Sequence, residues 1–296
     1  MRRTIEMDVA KLTVDCRNLH GEGAVWDADA GRLLWTDIEG RALWWHEPGG
    51  DRSGSLLMPE RLCCFAPRKV GGLLAGFASG FAVLDLASMN VDWIARFEPD
   101  NTETRLNDGR TDRFGNFVAG GMNEVSNGFD SSVVRLSASG QLETLVDGVS
   151  CANSICFSPD GKTMYFADSP RRQILAYPYD RQAAPLGAPT VLADLRGEKG
   201  VPDGSCVDEE GGVWNAEWEG GRVVRFNVEG VIDRIVTVPV GKPTCCVFGG
   251  PKLDTLFITT SRLGETSQSI LDNPDQGSLF AMKPGVCGVI DTPYLG

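Results

Sequence analysis

The sequence predicts an all-β fold, a six-bladed β-propeller formed as a single domain by residues 1–296. The first observation is a unit that recurs six times: a polar residue opens a short apolar run, and a turn rich in Gly and Asp precedes two further strand-like runs. The second is the spacing of 41 to 50 residues between successive openings, which is typical of propeller blades. The third is the lack of a sustained 3.6-residue period, so few helices are expected. The six openings are residues 21–23, 63–65, 107–109, 153–155, 203–205 and 244–246.

The strands of each unit are predicted from alternating runs that are bounded by turn residues. In the first, fourth and fifth units the predicted strands are residues 24–27, 32–37, 42–46, 154–158, 163–168, 173–179, 204–207, 213–217 and 222–227. The sixth unit supplies only three, at residues 244–248, 255–260 and 278–282. We expect the orphan strand at residues 11–16 to complete that last blade, because it would remove an open sheet edge. The longest insertion, residues 261–276, is expected to lie over one end of the propeller.

Composition and charge narrow the partners that this chain can have. With 42% hydrophobic residues, 36 glycines and 23% charged residues, the chain is turn-rich and able to bury a core. The net charge of −12 opposes binding to phosphate backbones and anionic lipids, so we expect no nucleic-acid and no membrane partner. No segment is apolar and long enough for a signal peptide or a membrane span. We therefore expect a cytoplasmic protein, with an unrecognised export route as the alternative. We also expect a monomer.

Nine cysteines, an odd number without a Cys-x-x-Cys spacing, argue against a disulfide framework. Four of them occupy corresponding places just inside the proposed inner strands, namely Cys64, Cys156, Cys206 and Cys246. Small side chains suit the crowded wall of a central channel, so we interpret these cysteines as packing residues. A cysteine-based zinc site is the alternative.

Three oxygen-bearing side chains occupy the same slot in different units. Glu22 lies between two glycines, and Asn153 and Asp203 open the fourth and fifth units. If each slot starts an innermost strand, these side chains meet at one mouth of the channel. Two carboxylates and an amide carbonyl suit calcium, magnesium or manganese, and suit zinc less well. Two alternatives remain open: Glu22 is a solvated turn acid, or Glu22 and Asp203 share a proton without a metal.

Arg105 and Asn107 are two residues apart, so in an extended strand their side chains share a face. A guanidinium and an amide there are placed to bind hydroxyl or carbonyl oxygens of a ligand, unless Arg105 pairs with surface acids and Asn107 only forms a turn. Glu124 either projects toward the same mouth or is a solvated loop acid.

The chain has two histidines, His20 and His46, and neither opens a unit, so a Ser-His-Asp or Cys-His relay has few candidates. His20 lies two residues before Glu22; it either orients that carboxylate or is a partly buried histidine at a strand edge. The sequence lacks a dinucleotide-binding or Walker motif, so nucleotide cofactors are not supported.

Four separated motifs, found in order between residues 12 and 284, resemble the SMP-30/gluconolactonase family of sugar lactone hydrolases, which includes the regucalcin-like proteins. They are Gly-Glu-Gly at 21–23, Arg-Leu-Asn-Asp-Gly at 105–109, Asn153 followed by Phe-Ser-Pro-Asp-Gly at 157–161, and Pro-Asp-Gly at 202–204 followed by Asp-Glu-Glu-Gly at 208–211.

The resemblance implies a six-bladed propeller with one divalent metal ion in its channel, held by Glu22, Asn153 and Asp203. The chain departs from the family pattern beside the second of these positions. Residues 151–152 are Cys-Ala and residue 154 is Ser, where glycine is common in the family. We expect this departure to narrow the metal site.

The resemblance also implies how a substrate is bound and opened. It assigns substrate contacts to Arg105 and Asn107, and to an acid that aligns on Glu124 or falls on Val125 instead. The metal ion would polarise the lactone carbonyl while water attacks its carbon. Asp203 is the candidate for taking the proton of that water, and a metal-bound hydroxide is the alternative.

The predicted function is therefore metal-dependent hydrolysis of aldonolactones, of the glucono-, L-arabinono- or xylonolactone type, to the aldonic acid in sugar oxidation. This makes the chain a carboxylic ester hydrolase with one divalent metal ion (Ca, Mg, Mn or Zn) and a small sugar lactone as its partner. Two other functions stay open at this point: hydrolysis of organophosphates or other esters on the same metal, and a non-enzymatic calcium-binding propeller.

Overall fold

Six β-sheets form the blades of a propeller in the computed structural model, which describes residues 5–296. The chain opens with two short strands, β1 (Glu6–Val9) and β2 (Lys11–Val14). Blades I to III contain β3 (Gly21–Asp27), β4 (Arg32–Asp37), β5 (Ala42–Glu47), β6 (Arg52–Leu57), β7 (Leu62–Pro67), β8 (Leu73–Phe77), β9 (Gly80–Leu84), β10 (Val91–Arg96), β11 (Thr104–Thr111), β12 (Phe117–Asn123), β13 (Ser131–Leu136) and β14 (Leu142–Val149). Blades IV to VI contain β15 (Ala152–Phe157), β16 (Thr163–Asp168), β17 (Gln173–Pro178), β18 (Thr190–Asp194), β19 (Val201–Val207), β20 (Val213–Trp218), β21 (Arg222–Phe226), β22 (Ile232–Thr237), β23 (Pro243–Gly249), β24 (Thr255–Thr260) and β25 (Leu279–Met282).

The first strand of each blade lines the axis. Strands β3, β7, β11, β15, β19 and β23 contact one another in a closed ring, because each meets the first strand of the blade before it and of the blade after it. These strands are almost entirely buried, whereas the last strand of most blades is largely exposed. The six-bladed propeller predicted from the repeat is confirmed.

The first two strands of the chain are added to the last two blades. Strand β2 pairs with β25 in the antiparallel direction and supplies the missing fourth strand of blade VI, as predicted, although it ends at Val14. Strand β1 pairs in parallel with β22 and adds an unpredicted fifth strand to blade V. Its residues alternate between polar Glu6 and Asp8 and apolar Met7 and Val9, which is a short strand signal that the predicted strands left out, and all four are exposed.

Each inner strand contains a β-bulge close to its predicted opening residue. A bulge leaves extra residues unpaired and re-aims the side chains beside it, which is why bulges often occur next to functional sites. Gly23 and Ser154 adopt the left-handed conformation here, with φ of 57° and 59°. In the three blades that supply the predicted oxygen donors, the register shifts between Glu22 and Val25, between Asn153 and Cys156, and between Pro202 and Ser205.

The apolar core is divided into six clusters, packed mainly between neighbouring blades. The four cysteines of the inner strands, Cys64, Cys156, Cys206 and Cys246, are buried in these clusters. All nine cysteines are unpaired. Within residues 5–296, no three His, Cys, Asp or Glu side chains are grouped so that they would hold a metal ion. A packing role therefore accounts for the inner-strand cysteines.

The two ends of the channel are covered differently. At one end, residues 261–276 contain the short helix α1 (Ser267–Asp272), and Leu263 reaches the channel mouth. At the other end, Asp291 pairs with Arg110 and Arg113, and the buried Tyr294 donates its backbone N–H to Pro67. None of the helices in the described part of the chain has the length and apolarity to cross a membrane.

Candidate active site

A cavity of about 320 Å³ opens at the channel mouth where the inner strands begin. The three predicted oxygen donors, Glu22, Asn153 and Asp203, all line it although they come from blades I, IV and V. The other lining residues are His20, Arg105, Asn107, Met122, Asn127, Ser150, Cys151, Ser169, Pro170, Val201, Trp218 and Leu263. One cavity thus contains five of the six site residues that the sequence predicts; Glu124 is the exception.

The carboxyl groups of Glu22 and Asp203 lie within hydrogen-bonding reach of each other. Both side chains are buried, and neither forms an ion pair within the described part of the chain. Burial raises the pKa of both groups, and the nearby charge of Asp108 raises both further. The charge of Glu22 also raises the pKa of Asp203, whereas the contact with Asp203 lowers that of Glu22. Without a cation, ionising both acids is therefore costly.

Asp108 is a third buried acid near the pair, and it serves a different purpose. Its two carboxylate oxygens accept the backbone N–H groups of Gly109 and Ile155, each at 2.8 Å. The bond with Ile155 joins blade III to blade IV, whereas the bond with Gly109 lies within the bulge of β11. Because both oxygens are occupied, Asp108 contributes negative charge to the site while its position stays fixed.

Asn153 is held from two sides. Its amide N–H donates to the Ser169 hydroxyl at 2.8 Å, and its carbonyl oxygen accepts from Asn107 at 3.2 Å. A carbonyl oxygen has two lone pairs, so one remains for another partner. The neighbouring Ser154 does not line the cavity; its hydroxyl donates to the backbone oxygen of Asp203 at 2.6 Å. Of the residues that depart from the family pattern, only Cys151 lines the cavity. The expected narrowing of the metal site stays a prediction.

The donor set suits a hard divalent cation. Two carboxylates and an amide carbonyl are the oxygen ligands that such ions prefer. Among residues 5–296, no cationic side chain forms an ion pair with either buried acid. Two buried acids are costly to ionise unless a positive charge compensates them. The residues present therefore fit the metal ion that the family resemblance implies.

Arg105 is 4% exposed and is fixed by several acceptors at the cavity wall. Its Nε donates to Glu124 at 2.7 Å, and its Nη1 donates to Asn107 and to the backbone oxygen of Leu106, each at 2.8 Å. The amide of Asn107 in turn donates to the backbone oxygen of Ala152 at 2.9 Å. Asn107 therefore links Arg105 to blade IV.

Glu124 lies behind Arg105 rather than at the cavity surface. It binds Arg61 through two hydrogen bonds of 2.8 and 2.7 Å, in addition to its bond with Arg105. Burial opposes ionisation of this carboxyl, but the hydrogen bonds and charges of Arg61 and Arg105 lower its pKa to about 2. Val125, the alternative position, is 69% exposed. Of the two residues, Glu124 is thus the one that contacts the site.

The family model for the "SMP-30/Gluconolactonase/LRE-like region" matches residues 20–262, a range that includes all six predicted site residues. The chain belongs to this family. It is 39% identical to an L-arabinolactonase of Azospirillum brasilense, over 97% of this chain and 96% of that protein. It is 31% identical to a 6-deoxy-6-sulfogluconolactonase of Pseudomonas putida, over 98% and 99% of the two chains.

Solved structures of family members share the fold. The calcium-binding protein regucalcin of Agrobacterium tumefaciens superimposes with a TM-score of 0.93 and 30% identity, covering 98% of this chain and 99% of that one. A streptogramin B lyase, at 12% identity and a TM-score of 0.57, shares the fold alone. It covers 84% of this chain and 80% of its own.

Several residues of the cavity were not predicted. Trp218 and Leu263 form part of its wall, and Ser169 supports Asn153. Asp108, which lies beside the cavity, was not singled out either. His20 lines the cavity but forms no hydrogen bond with Glu22 in the described part of the chain, so it does not orient that carboxylate directly. Apart from the position of His20 near Glu22, no sequence signal marks these residues, because their places depend on how blades pack.

Proposed function

We propose that this family member is a metal-dependent sugar lactone hydrolase that opens aldonolactones to aldonic acids. The observation that carries the proposal is the pair of buried carboxyl groups, Glu22 and Asp203, facing each other with Asn153 in a cavity that also contains Arg105. The lactonases among its relatives support sugar lactones as the substrate class, and the 39% identity to an L-arabinolactonase favours a pentonolactone.

The metal ion would be held by Glu22, Asn153 and Asp203. When bound, a divalent cation acts as a Lewis acid that polarises the lactone carbonyl. The regucalcin likeness favours calcium, while magnesium, manganese and zinc remain the other candidates. The cytoplasmic location and the monomeric state stay predictions.

The chain's own residues carry the remaining steps. We assign Asp203 the role of general base, which accepts a proton from the water that attacks the carbonyl carbon. Its position is fixed because Ser154 and Asn215 donate hydrogen bonds to its backbone oxygen, at 2.6 and 3.0 Å. Fixed placement lowers the entropic cost of bringing the base and the water to the substrate.

Substrate binding is assigned to Arg105, Asn107 and Glu124. The Nη2 nitrogen of Arg105 donates to no other described residue, so it is free to bind a ring oxygen or hydroxyl of the lactone. Asn107 and Glu124 already bind Arg105, and we propose that they act chiefly by fixing its guanidinium. A direct contact of Glu124 with substrate stays a prediction.

The test is lactone opening followed with a pH indicator, on a panel of sugar lactones and divalent ions. Asp203→Asn, Glu22→Gln and Asn153→Ala should each abolish metal-dependent turnover. Asp254→Asn is the control, because Asp254 lies at the opposite end of the propeller and contacts Lys283 and Thr255. Full activity of the Asp203 variant would refute the assigned base.

A second candidate function is calcium binding without catalysis, which is favoured by the likeness to a calcium-binding regucalcin. It predicts a stoichiometric metal site but no turnover on any lactone. Loss of activity after chelation, restored by one particular ion, would exclude it.

A further inference from the structure

The polar groups of the cavity are mostly bound to one another. Asn107 and Asn153 bind each other, and Ser169 accepts from Asn153 while donating to the backbone oxygen of Pro202 at 2.7 Å. Glu22 and Asp203 are assigned to the metal ion. A polyhydroxylated lactone must therefore find its hydrogen-bond partners among the few groups that remain uncommitted.

His20 is such a group. Its Nδ1 lies 3.0 Å from the hydroxyl of Ser261, whereas its Nε2 has no hydrogen-bond partner within residues 5–296. The ring lines the cavity and is 8% exposed. The side chain is thus anchored through one nitrogen, and the other nitrogen is left for a ligand.

The surroundings of His20 fix both its position and its ring. The backbone N–H of His20 donates to Asp37 at 2.9 Å, and an isolated β-bridge joins His20 to Ser261. The imidazole ring packs perpendicular to Trp218, with 5.7 Å between the ring centroids. A group held in this way is preorganised, so binding through it costs little conformational entropy.

The hydrogen bonds of Ser261 indicate which nitrogen of His20 carries the proton. Its hydroxyl accepts the backbone N–H of Leu263 and donates to the backbone oxygen of Leu19, both at 3.0 Å. A hydroxyl has a single proton to donate. All three contacts are satisfied only when His20 donates through Nδ1–H to Ser261, and in the neutral imidazole this assignment leaves Nε2 as an acceptor.

We propose that His20 is a specificity-determining residue whose Nε2 accepts a hydrogen bond from one hydroxyl group of the lactone. Arg105 can only donate, so His20 supplies the complementary acceptor. The inference rests on the proposed function and goes further, because it names a neutral nitrogen acceptor that selects hydroxylated rings over bare ones.

The experiment compares kcat/KM on a sugar lactone, on its monodeoxy derivatives and on γ-butyrolactone, which has no hydroxyl group. His20→Phe keeps a ring against Trp218 but removes both nitrogens, and His20→Gln places an amide oxygen near the Nε2 position. His46→Phe is the matched control, because His46 also binds a serine hydroxyl through Nδ1, at 2.9 Å from Ser53, but lies away from the cavity.

His20→Phe should lower kcat/KM on the sugar lactone by about 3- to 10-fold, mainly through KM, as expected for one neutral hydrogen bond. It should leave γ-butyrolactone unchanged, and one monodeoxy lactone should be opened equally by wild type and variant. His20→Gln should recover most of the loss, and His46→Phe should show none.

Equal losses of His20→Phe on every lactone, including γ-butyrolactone, would overturn the inference, as would no loss on any of them. If His20→Phe does not fold, the His20→Gln variant decides: a loss on γ-butyrolactone as large as on the sugar lactone contradicts the acceptor role. A wild-type protein that opens no lactone would instead refute the proposed function itself.

Discussion

Replacing Glu124 with Gln removes a charge that two arginines share. The carboxylate receives two hydrogen bonds from Arg61 and one from Arg105, all between 2.7 and 2.8 Å. Gln has nearly the same shape but no charge, and its amide nitrogen cannot accept. The change therefore tests the electrostatic part of this contact with little change in packing.

The magnitude follows from the lowered pKa. A glutamate has a pKa of about 4.3 in an unfolded chain, and a pKa of about 2 in the folded protein corresponds to about 3 kcal/mol at 1.36 kcal/mol per unit. The side chain is 30% exposed, so solvent screening reduces this to about 1.5 kcal/mol. Glu124→Gln should thus lower the free energy of unfolding by about 1.5 kcal/mol and Tm by about 3 °C.

The pH dependence has a definite sign. Because the folded-state pKa lies below the unfolded one, the stabilisation is fully present above about pH 5 and disappears as the pH falls from about 4.3 toward 2. Urea denaturation of wild type and variant at pH 7 and at pH 3 measures the difference. Glu39→Gln is the control, since it removes a single contact with Arg61 at 3.2 Å.

The same variant should raise KM for the lactone about 5-fold, because Arg105 loses the anchor that fixes its guanidinium. A Glu124→Gln protein as stable as wild type at pH 7 would refute this reasoning. So would a difference in stability that is as large at pH 3 as at pH 7.

Three further results are expected. Chelation of divalent ions should lower Tm and abolish lactone opening, and one added ion should restore both. At a concentration 100 times its Kd, that ion should raise the free energy of unfolding by about 2.7 kcal/mol. An unchanged Tm would argue against a metal site. Asp291→Asn should lower the free energy of unfolding by about 3 kcal/mol, because it leaves the buried Arg110 without its partner; a loss below 0.5 kcal/mol in denaturation would contradict this. Leu12→Pro should open the edge of blade VI and increase proteolysis there, whereas Thr13→Ala, beside it, should not.

The repeat made the fold predictable. Strands β4, β16 and β24 have the predicted bounds, because each is a run of alternating residues with turn residues at both ends. Inner strands begin earlier than predicted, at Gly21, Ala152 and Val201, since the bulge interrupts their alternation. Strand β1 was not predicted although Glu6–Val9 alternate between polar and apolar residues, since an alternation over four residues is a weak strand signal.

The candidate site was partly predictable for a related reason. Glu22, Asn153 and Asp203 occupy equivalent slots, so the repeat alone suggested that they meet, and they line one cavity. The position of Glu124 behind Arg105 depends on the path of a loop, and no pattern reveals it. The same holds for the anchoring of His20 by Ser261, which joins residues at opposite ends of the chain.

The sequence by itself determined the number of blades, their strands and the chemical types of the donors, because these depend on local periodicity and on residue identity. Only the tertiary structure decided which hydrogen-bonding groups are already occupied and which face the cavity. That division has a physical cause. A hydrogen bond needs its donor and acceptor to lie about 2.7 to 3.2 Å apart, and between residues of different blades this distance depends on the closure of the whole ring.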